Sequence, residues 1–341
     1  MPTTRVLVTG GSGFIAGHCI LQLLEQGHEV RATVRSPGRE ASVRTVLRDA
    51  GMVNGENLTF LAADLLDDTG WAQAVAGVDT VLHVASPVVP GHVENEDDVV
   101  VPAREGTLRV LAAAHAGGVR RVVLTSAFHA VSWGHPHDDH VFTEEDWTVL
   151  EDPGVDAYGR SKTLAERAAW AFAAANSLDL VTLLPVAVMG PVMGHDVSGA
   201  NHLVQRLLNG AMPALPHLHF PIVDVRDVAA AHLLAMTTPA AAGQRFLLSN
   251  GPTLEFSEVA GILRSELGPA ADRVPTRVVP NAVVRAGARF NPEFRAIVPD
   301  LGYAKRTSNE KARRVLGWEP RSAAEAVTAA GRSMVDRGLA G

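Results

Sequence analysis

The chain has 341 residues, with 30 Lys and Arg against 37 Asp and Glu and a net charge of -7. That length supports a large core, with one main domain and a smaller lobe, while an acidic balance without a dense Lys/Arg block argues against nucleic acid as a partner. The single cysteine, Cys19, excludes an internal disulfide, and no apolar run reaches the length of a membrane span.

The first predicted element is a strand over Val6 to Thr9. It breaks into Gly10-Gly11-Ser12-Gly13 and resumes at helical spacing with Phe14, Ile15, Cys19, Ile20, Leu23 and Leu24, closed by Gly27. Gly10 suits the backbone angles of a tight turn, Gly13 has no Cβ to hold off a pyrophosphate, and Ala16 lets the helix pack close to the strand. The helix N-terminus brings N–H groups and partial positive charge to the phosphates. This pattern predicts a dinucleotide site that begins with Thr9, Gly10, Gly13, Phe14 and Ile15. Cys19 lies on the apolar face of the helix, a place for packing rather than chemistry. The turn starts so near Met1 that no signal peptide fits before it, and a soluble, cytoplasmic protein is expected.

A second strand, Glu29 to Arg35, ends in Arg35-Ser36-Pro37-Gly38. An acid near this point would hold a ribose 2′-hydroxyl, but Val30 to Arg39 offers only Arg31, Arg35 and Arg39. The pattern favours a 2′-phosphate, hence NADP(H), with Arg35 as its partner. A charge-assisted hydrogen bond contributes about 1.5 to 3 kcal/mol. A third strand, Leu58 to Ala62, runs into Asp64-Leu65, and a fourth, Thr80 to His83, into Val84-Ala85-Ser86. Ligands of parallel sheets sit beyond the C-terminal strand ends. Asp64 is therefore placed to accept from an adenine amine, or simply to cap the segment after Leu66, and Ala85 and Ser86 line the path toward the nicotinamide. A helix over Asp97 to Ala116 and a fifth strand over Arg121 to Thr125 deliver Ser126, Ala127, Phe128 and His129 to the same edge.

Tyr158 and Lys162 stand four apart in a run of helix formers, one turn from each other on one face. Carbonyl reduction needs a proton on the oxygen as hydride reaches the carbon. A phenol with a pKa of about 10 is a poor donor near neutrality, and a nearby ammonium lowers that value. Upstream, His129, His135, His137 and His140 crowd one stretch. Their spacing fits no zinc template and no cysteine assists, so no metal is expected and the stretch reads as a loop on the rim of a substrate pocket. Thr143, three before Asp146, resembles a capping box. A strand over Leu180 to Pro185 is expected to close the sheet. Met189, Val192, Met193, His202, Leu203, Leu207, Leu215 and Phe220 either line an apolar pocket or belong to the core. Helices near Val225 to Met236, Phe256 to Leu267, Asn309 to Leu316 and Ala323 to Val335 should cover them, with Asp224 and Asp227 structural.

Taken together, Thr9 to Ala16, Val30 to Arg35, Asp64-Leu65, His83 to Pro87, Tyr158 with Lys162, Leu184-Pro185, Val223 to Val228 and Ser308 to Ala312 resemble an extended short-chain dehydrogenase/reductase. The likeness, to the dihydroflavonol reductase, cinnamoyl-CoA reductase and yeast-type methylglyoxal/aldehyde reductase branch, covers nearly the whole chain. It implies an α/β fold: a doubly wound parallel Rossmann sheet over residues 1–190, with return segments from 221–250, and a smaller C-terminal substrate lobe over 191–341. It also implies NADPH bound across the strand ends, Lys162 on the nicotinamide ribose, and the backbone of Pro185 to Val188 at the carboxamide. Members of this branch usually carry Thr-Ser-Ser after the fifth strand, the second serine polarising the substrate carbonyl; this chain has Thr125-Ser126-Ala127. Loss of one such donor costs about 3 to 4 kcal/mol of transition-state stabilisation. Ser126 supplies the hydroxyl through a backbone shift, His129 or a water replaces it, or the protein is a feeble catalyst; Ser126 is carried forward as the third catalytic candidate.

The expected activity is NADPH-dependent reduction of an aldehyde or ketone, reversible as alcohol oxidation. The partner is a small-molecule carbonyl or alcohol, with neither nucleic acid nor membrane, and the protein is a monomer or homodimer. Two other readings share these features: a nucleotide-sugar epimerase or dehydratase that retains NAD, and a catalytically silent NADP-binding sensor.

Overall fold

Short runs of Val, Leu and Ile, buried on both faces, form the strands of a parallel sheet. In the computed structural model, which describes residues 3–87 and 95–340, these are β1 (Arg5–Val8), β2 (Glu29–Val34), β3 (Leu58–Ala62), β4 (Thr80–His83), β5 (Arg121–Thr125), β6 (Asp179–Pro185) and β7 (Arg245–Leu248). They pair in the order β7-β6-β5-β4-β1-β2-β3, all parallel. The order reverses between β1 and β4, which opens a crevice at their C-terminal ends. β6 does not close the sheet as expected. The four-residue β7, too short to show a periodicity of its own, pairs outside it with Leu248 opposite Pro185.

The helices are α1 (Phe14–Glu25), α2 (Glu40–Asp49), α3 (Trp71–Val75), α4 (Asp97–Ala116), α5 (Ala157–Asn176), α6 (Asn201–Leu208), α7 (Val225–Thr237), α8 (Phe256–Leu267), α9 (Asn281–Gly287), α10 (Pro292–Ile297), α11 (Glu310–Leu316) and α12 (Ala323–Asp336). Alternating strand residues divide the core between the two faces of the sheet. Val6, Val8, Leu82 and Val123 pack with Ile20 and Leu23 of α1 and Val228 of α7. Leu7, Val81 and Val122 pack with Val110 and Leu111 of α4 and Ala169 of α5. A third cluster, built from α6, α8 and α12, makes the smaller lobe.

That third cluster absorbs Met189, Val192, Leu207 and Leu215, which are core rather than pocket lining. Met193 packs against Gly17 of α1, where any Cβ would collide with its methyl group. His202 is exposed, while Leu203 and Phe220 are half-buried at the edge of the same cluster. Asp224 caps α7 and pairs with Arg226, and Asp227 binds the backbone and guanidinium of Arg321. Thr143 and Asp146 do exchange bonds, Thr143 N–H to the Asp146 carboxylate at 2.8 Å, but they close a turn and no helix follows. Among the described residues no helix is long and apolar enough to cross a membrane.

Candidate active site

The glycine turn is shaped by close approaches. Gly10 has φ +70°, and a Cβ there would lie 3.0 Å from the Ala85 Cβ. Gly13 N–H donates to Gly10 O at 2.8 Å, and Gly13 caps α1 without a side chain, so the first-turn N–H groups face the crevice beside Phe14 and Ile15. Thr33, which the sequence pattern did not single out, anchors this turn: its hydroxyl accepts from Gly10 N–H at 3.0 Å and its carbonyl from Gly11 N–H at 2.8 Å. Thr9 is fully buried. Its hydroxyl accepts from Val84 N–H and Ala85 N–H, both at 3.0 Å, so its single proton goes to His83 Nδ1 at 2.9 Å. Thr9 thereby fixes the backbone of Val84 and Ala85, next to Ser86.

The three arginines near the end of β2 differ in their engagements. Arg31 donates to the carbonyls of Gln73, Ala74 and Ala76 at 3.1, 2.9 and 2.9 Å. Arg35 is exposed and its guanidinium makes no hydrogen bond or ion pair among the described residues. Asp64 uses one carboxylate oxygen on Leu66 N–H at 3.0 Å and its carbonyl on the Trp71 indole at 2.9 Å, leaving the second carboxylate oxygen. Leu65 packs under Gly106 of α4, where a Cβ would stand 2.9 Å from its own. On the opposite side, Pro185 ends β6, and Val188 lies in the short strand Ala187–Met189 paired with Ile222–Asp224.

Helix α5 starts at the crevice because the Asp156 carboxylate accepts from Gly159 N–H at 2.7 Å. Tyr158 is in its first turn and Lys162 in its second, with the Lys162 ammonium over the phenol ring, 5.7 Å from its centre. Lys162, Ala85, Ser86, Thr125 and Ser126 line one small cavity at the ends of β4 and β5. Burial pushes the Tyr158 phenol up to about 12, with the Asp156 charge adding to it. Burial also brings Lys162 down to about 8, opposed by Glu166. The expected lowering of Tyr158 by Lys162 is therefore not what dominates here, since desolvation of the phenolate outweighs an ammonium seated over the ring face.

His129 meets Tyr158 edge-on at 4.9 Å between ring centres and stacks on Trp133 at 4.1 Å. Burial, then Lys305 and Lys162, hold its imidazole at about 3, so it is neutral at pH 7. Lys305 lies 3.5 Å from the Trp133 ring centre and pairs with Asp300 at 3.1 Å. Residues 300–305 thus reach the site from the far end of the chain, a contribution for which a lone lysine carries no sequence signal.

Residues 6–248 match the NAD dependent epimerase/dehydratase family. The chain belongs to that family. It is an NAD(P)-dependent oxidoreductase of the extended short-chain dehydrogenase/reductase type. It is 37% identical over 270 residues to cinnamoyl-CoA reductase CAD2 of Medicago truncatula, covering 78% of this chain and 81% of that one. It is 34% identical over 252 residues to an anthocyanidin reductase of Vitis vinifera, covering 70% of this chain and 74% of that one. In structure it is similar to yeast methylglyoxal/isovaleraldehyde reductase Gre2 complexed with NADPH, with a TM-score of 0.81 and 25% identity over 98% of this chain and 99% of that one.

Within this oxidoreductase, the Ser126 hydroxyl is directed elsewhere than expected. It donates to Glu166 Oε2 at 2.6 Å. Glu166, one turn after Lys162, also accepts from Thr182 Oγ1 at 2.8 Å, the Trp170 indole at 3.3 Å and Arg245 Nε at 2.8 Å. Arg245 stacks on Trp147 at 3.6 Å and donates to the carbonyls of Glu144 and Asp146. Ala127, the residue after Ser126, is buried. The histidine-rich stretch is a braced loop: His135 Nε2 lies 3.1 and 3.0 Å from the carbonyls of Val131 and Trp147, His140 Nε2 lies 3.0 Å from Asp146, and His137 stacks on Tyr303 at 4.0 Å. A wider cleft of about 780 Å³, lined by Trp71, Val75, Leu108 and Phe172, lies away from all these groups and holds none of the predicted chemistry.

Proposed function

We propose that the chain is an NADPH-dependent reductase of an aldehyde or ketone, working in reverse as an alcohol dehydrogenase. The observation that carries this reading is the placement of Tyr158 and Lys162 on successive turns of α5, with Lys162 lining a cavity at the ends of β4 and β5. The cradle fits a dinucleotide. Gly10 and Gly13 leave space that a Cβ would fill, uncapped N–H groups of α1 suit a pyrophosphate, and Arg35 stands exposed where a 2′-phosphate would lie. Asp64 and Leu65 would hold the adenine, while Val84 to Ser86, Pro185 and Val188 would flank the nicotinamide. When bound, the cofactor supplies hydride to the carbonyl carbon.

Tyr158 then does the remaining work at the oxygen. With its phenol held near 12 it is protonated at neutral pH and acts as the donor, while Lys162 offsets the charge that develops on the phenolate. In this reading neither position after β5 supplies a hydroxyl to the carbonyl, since Ser126 donates its proton to Glu166 and residue 127 is alanine. Neutral His129, edge-on against the Tyr158 ring, would take that part. Tyr158→Phe should lower NADPH oxidation with a reactive aldehyde by at least about 10²-fold while NADPH affinity stays within a few fold; unchanged turnover would sink the assignment. Arg35→Ala should reduce the preference for NADPH over NADH by about 10- to 100-fold in binding titrations. Ala127 favours one other reading, a silent NADP-binding sensor. Measurable NADPH binding without oxidation against a broad aldehyde and ketone panel would select it.

A further inference from the structure

His217 and His219 flank Leu218, whose side chain is buried in an apolar cluster with Val284 and Leu301. Leu218 N–H donates to Pro216 O at 2.9 Å, a tight turn centred on His217, and beyond it the two imidazoles come together. Their ring centres are 5.0 Å apart at 57°. Across the antiparallel pair formed by His219–Phe220 and Leu254–Glu255, His219 stands directly opposite Glu255. One donor atom from each of His217, His219 and Glu255 lies within 4.8 Å of the other two. These residues sit on a fixed backbone. His217 O accepts from Gly302 N–H at 2.8 Å and Leu218 O from Phe256 N–H at 2.8 Å. Glu255 N–H donates to Glu258 at 2.6 Å, in a capping box whose return bond uses only part of the Glu255 carboxylate.

His219 Nδ1 is buried and has no hydrogen-bond partner. Neither imidazole makes a side-chain hydrogen bond among the described residues, so the rings are not held together by a polar network of their own. A buried polar atom left in this way calls for an account. We propose that His217, His219 and Glu255 form a binding site for a divalent metal of the Zn²⁺ type, with an exchangeable fourth position. Two neutral imidazoles and one carboxylate are a donor set that suits Zn²⁺ and excludes the all-oxygen preference of Mg²⁺ and Ca²⁺. Tetrahedral bonds of about 2.0 to 2.2 Å place donors roughly 3.3 Å apart, a contraction that side-chain torsions can supply. The role we assign to it is mechanical: it clamps the strand pair that follows His217, whose carbonyl holds Gly302 at the start of the segment that carries Tyr303 and Lys305 to Trp133.

The test is calorimetric titration of the chelator-stripped full chain with ZnCl₂, with thermal unfolding in parallel. One saturable site is expected, together with a rise in Tm as Zn²⁺ is added and no response to MgCl₂. His219→Ala and Glu255→Gln should each weaken Zn²⁺ binding at least about tenfold, and His217→Ala/His219→Ala should abolish it. His135→Ala/His140→Ala should bind as the parent does. Substitution with Co²⁺ gives a readout that needs no variant: intense visible absorption of a four-coordinate ion is expected. The absence of a saturable site in the parent chain, or one-to-one binding retained in a folded His217→Ala/His219→Ala protein, overturns the proposal.

Discussion

Lys162 and Glu166 sit one turn apart on α5 and are both buried, at 8% and 1% exposure, yet their surroundings differ. Glu166 is held by Ser126, Trp170, Thr182 and Arg245. Lys162 has no hydrogen-bond acceptor among the described residues; a ring face and the more distant Glu166 charge are what it has. A buried ion with all its lone pairs satisfied braces a fold, whereas an under-solvated ion at a crevice is tolerated only where something other than stability requires it. The same helix therefore carries the turn proposed to be catalytic followed directly by a structural one.

Substitution on each turn separates the two. Lys162→Met should lower carbonyl reduction by about 10²- to 10⁴-fold while leaving Tm equal or higher, because it removes a poorly compensated charge; a Tm loss as large as the activity loss would make Lys162 structural. Arg245→Met should do the reverse. It leaves the Glu166 carboxylate buried without its cation and should cost about 3 to 5 kcal/mol in urea unfolding.

Acid sharpens the contrast further. His83 and His129, both under the influence of Lys162, are held at about 3 by burial. The unfolded chain, with imidazoles near 6.5, binds more protons than the native one between those values, so stability is full above about pH 6.5 and falls as pH drops. These two residues alone contribute about 2 to 3 kcal/mol per pH unit between pH 6 and 4. His18 and His232, at about 4, act in the same direction. Urea midpoints across that range read the slope, and His129→Phe should reduce it. The smallest effect is expected from Ser126→Ala, about 1 to 3 kcal/mol of stability with turnover within a few fold. A large turnover loss with stability intact would return Ser126 to the catalytic set.

What could be read from the sequence and what could not follow the same division. The glycine turn, β1 to β5 and the Tyr158–Lys162 pair are local patterns, written in periodicity and spacing within a few residues. The hold on Glu166 is not: Arg245 lies 79 positions away, on a strand of four residues that looks like any short apolar run. α2 carries little apolar periodicity, because its polar surface leaves only Val43 and Leu47 buried. The partner of Ser126 is hidden for a related reason. Alternation along the strand end shows that Ser126 faces away from residue 127, but only the folded chain reveals a glutamate waiting on that side. The Tyr158 phenol likewise depends on how much protein covers it, which no spacing of residues reports.

The Thr9 hydroxyl occupies the point where the sheet order reverses, and its valence is fully used: two lone pairs on amides, one proton on an imidazole. Valine has the same shape and none of these. Exchanging one for the other would strand three polar atoms in the interior and loosen the rivet between two adjacent strands. The mouth of the proposed cofactor groove would then lose its bracing.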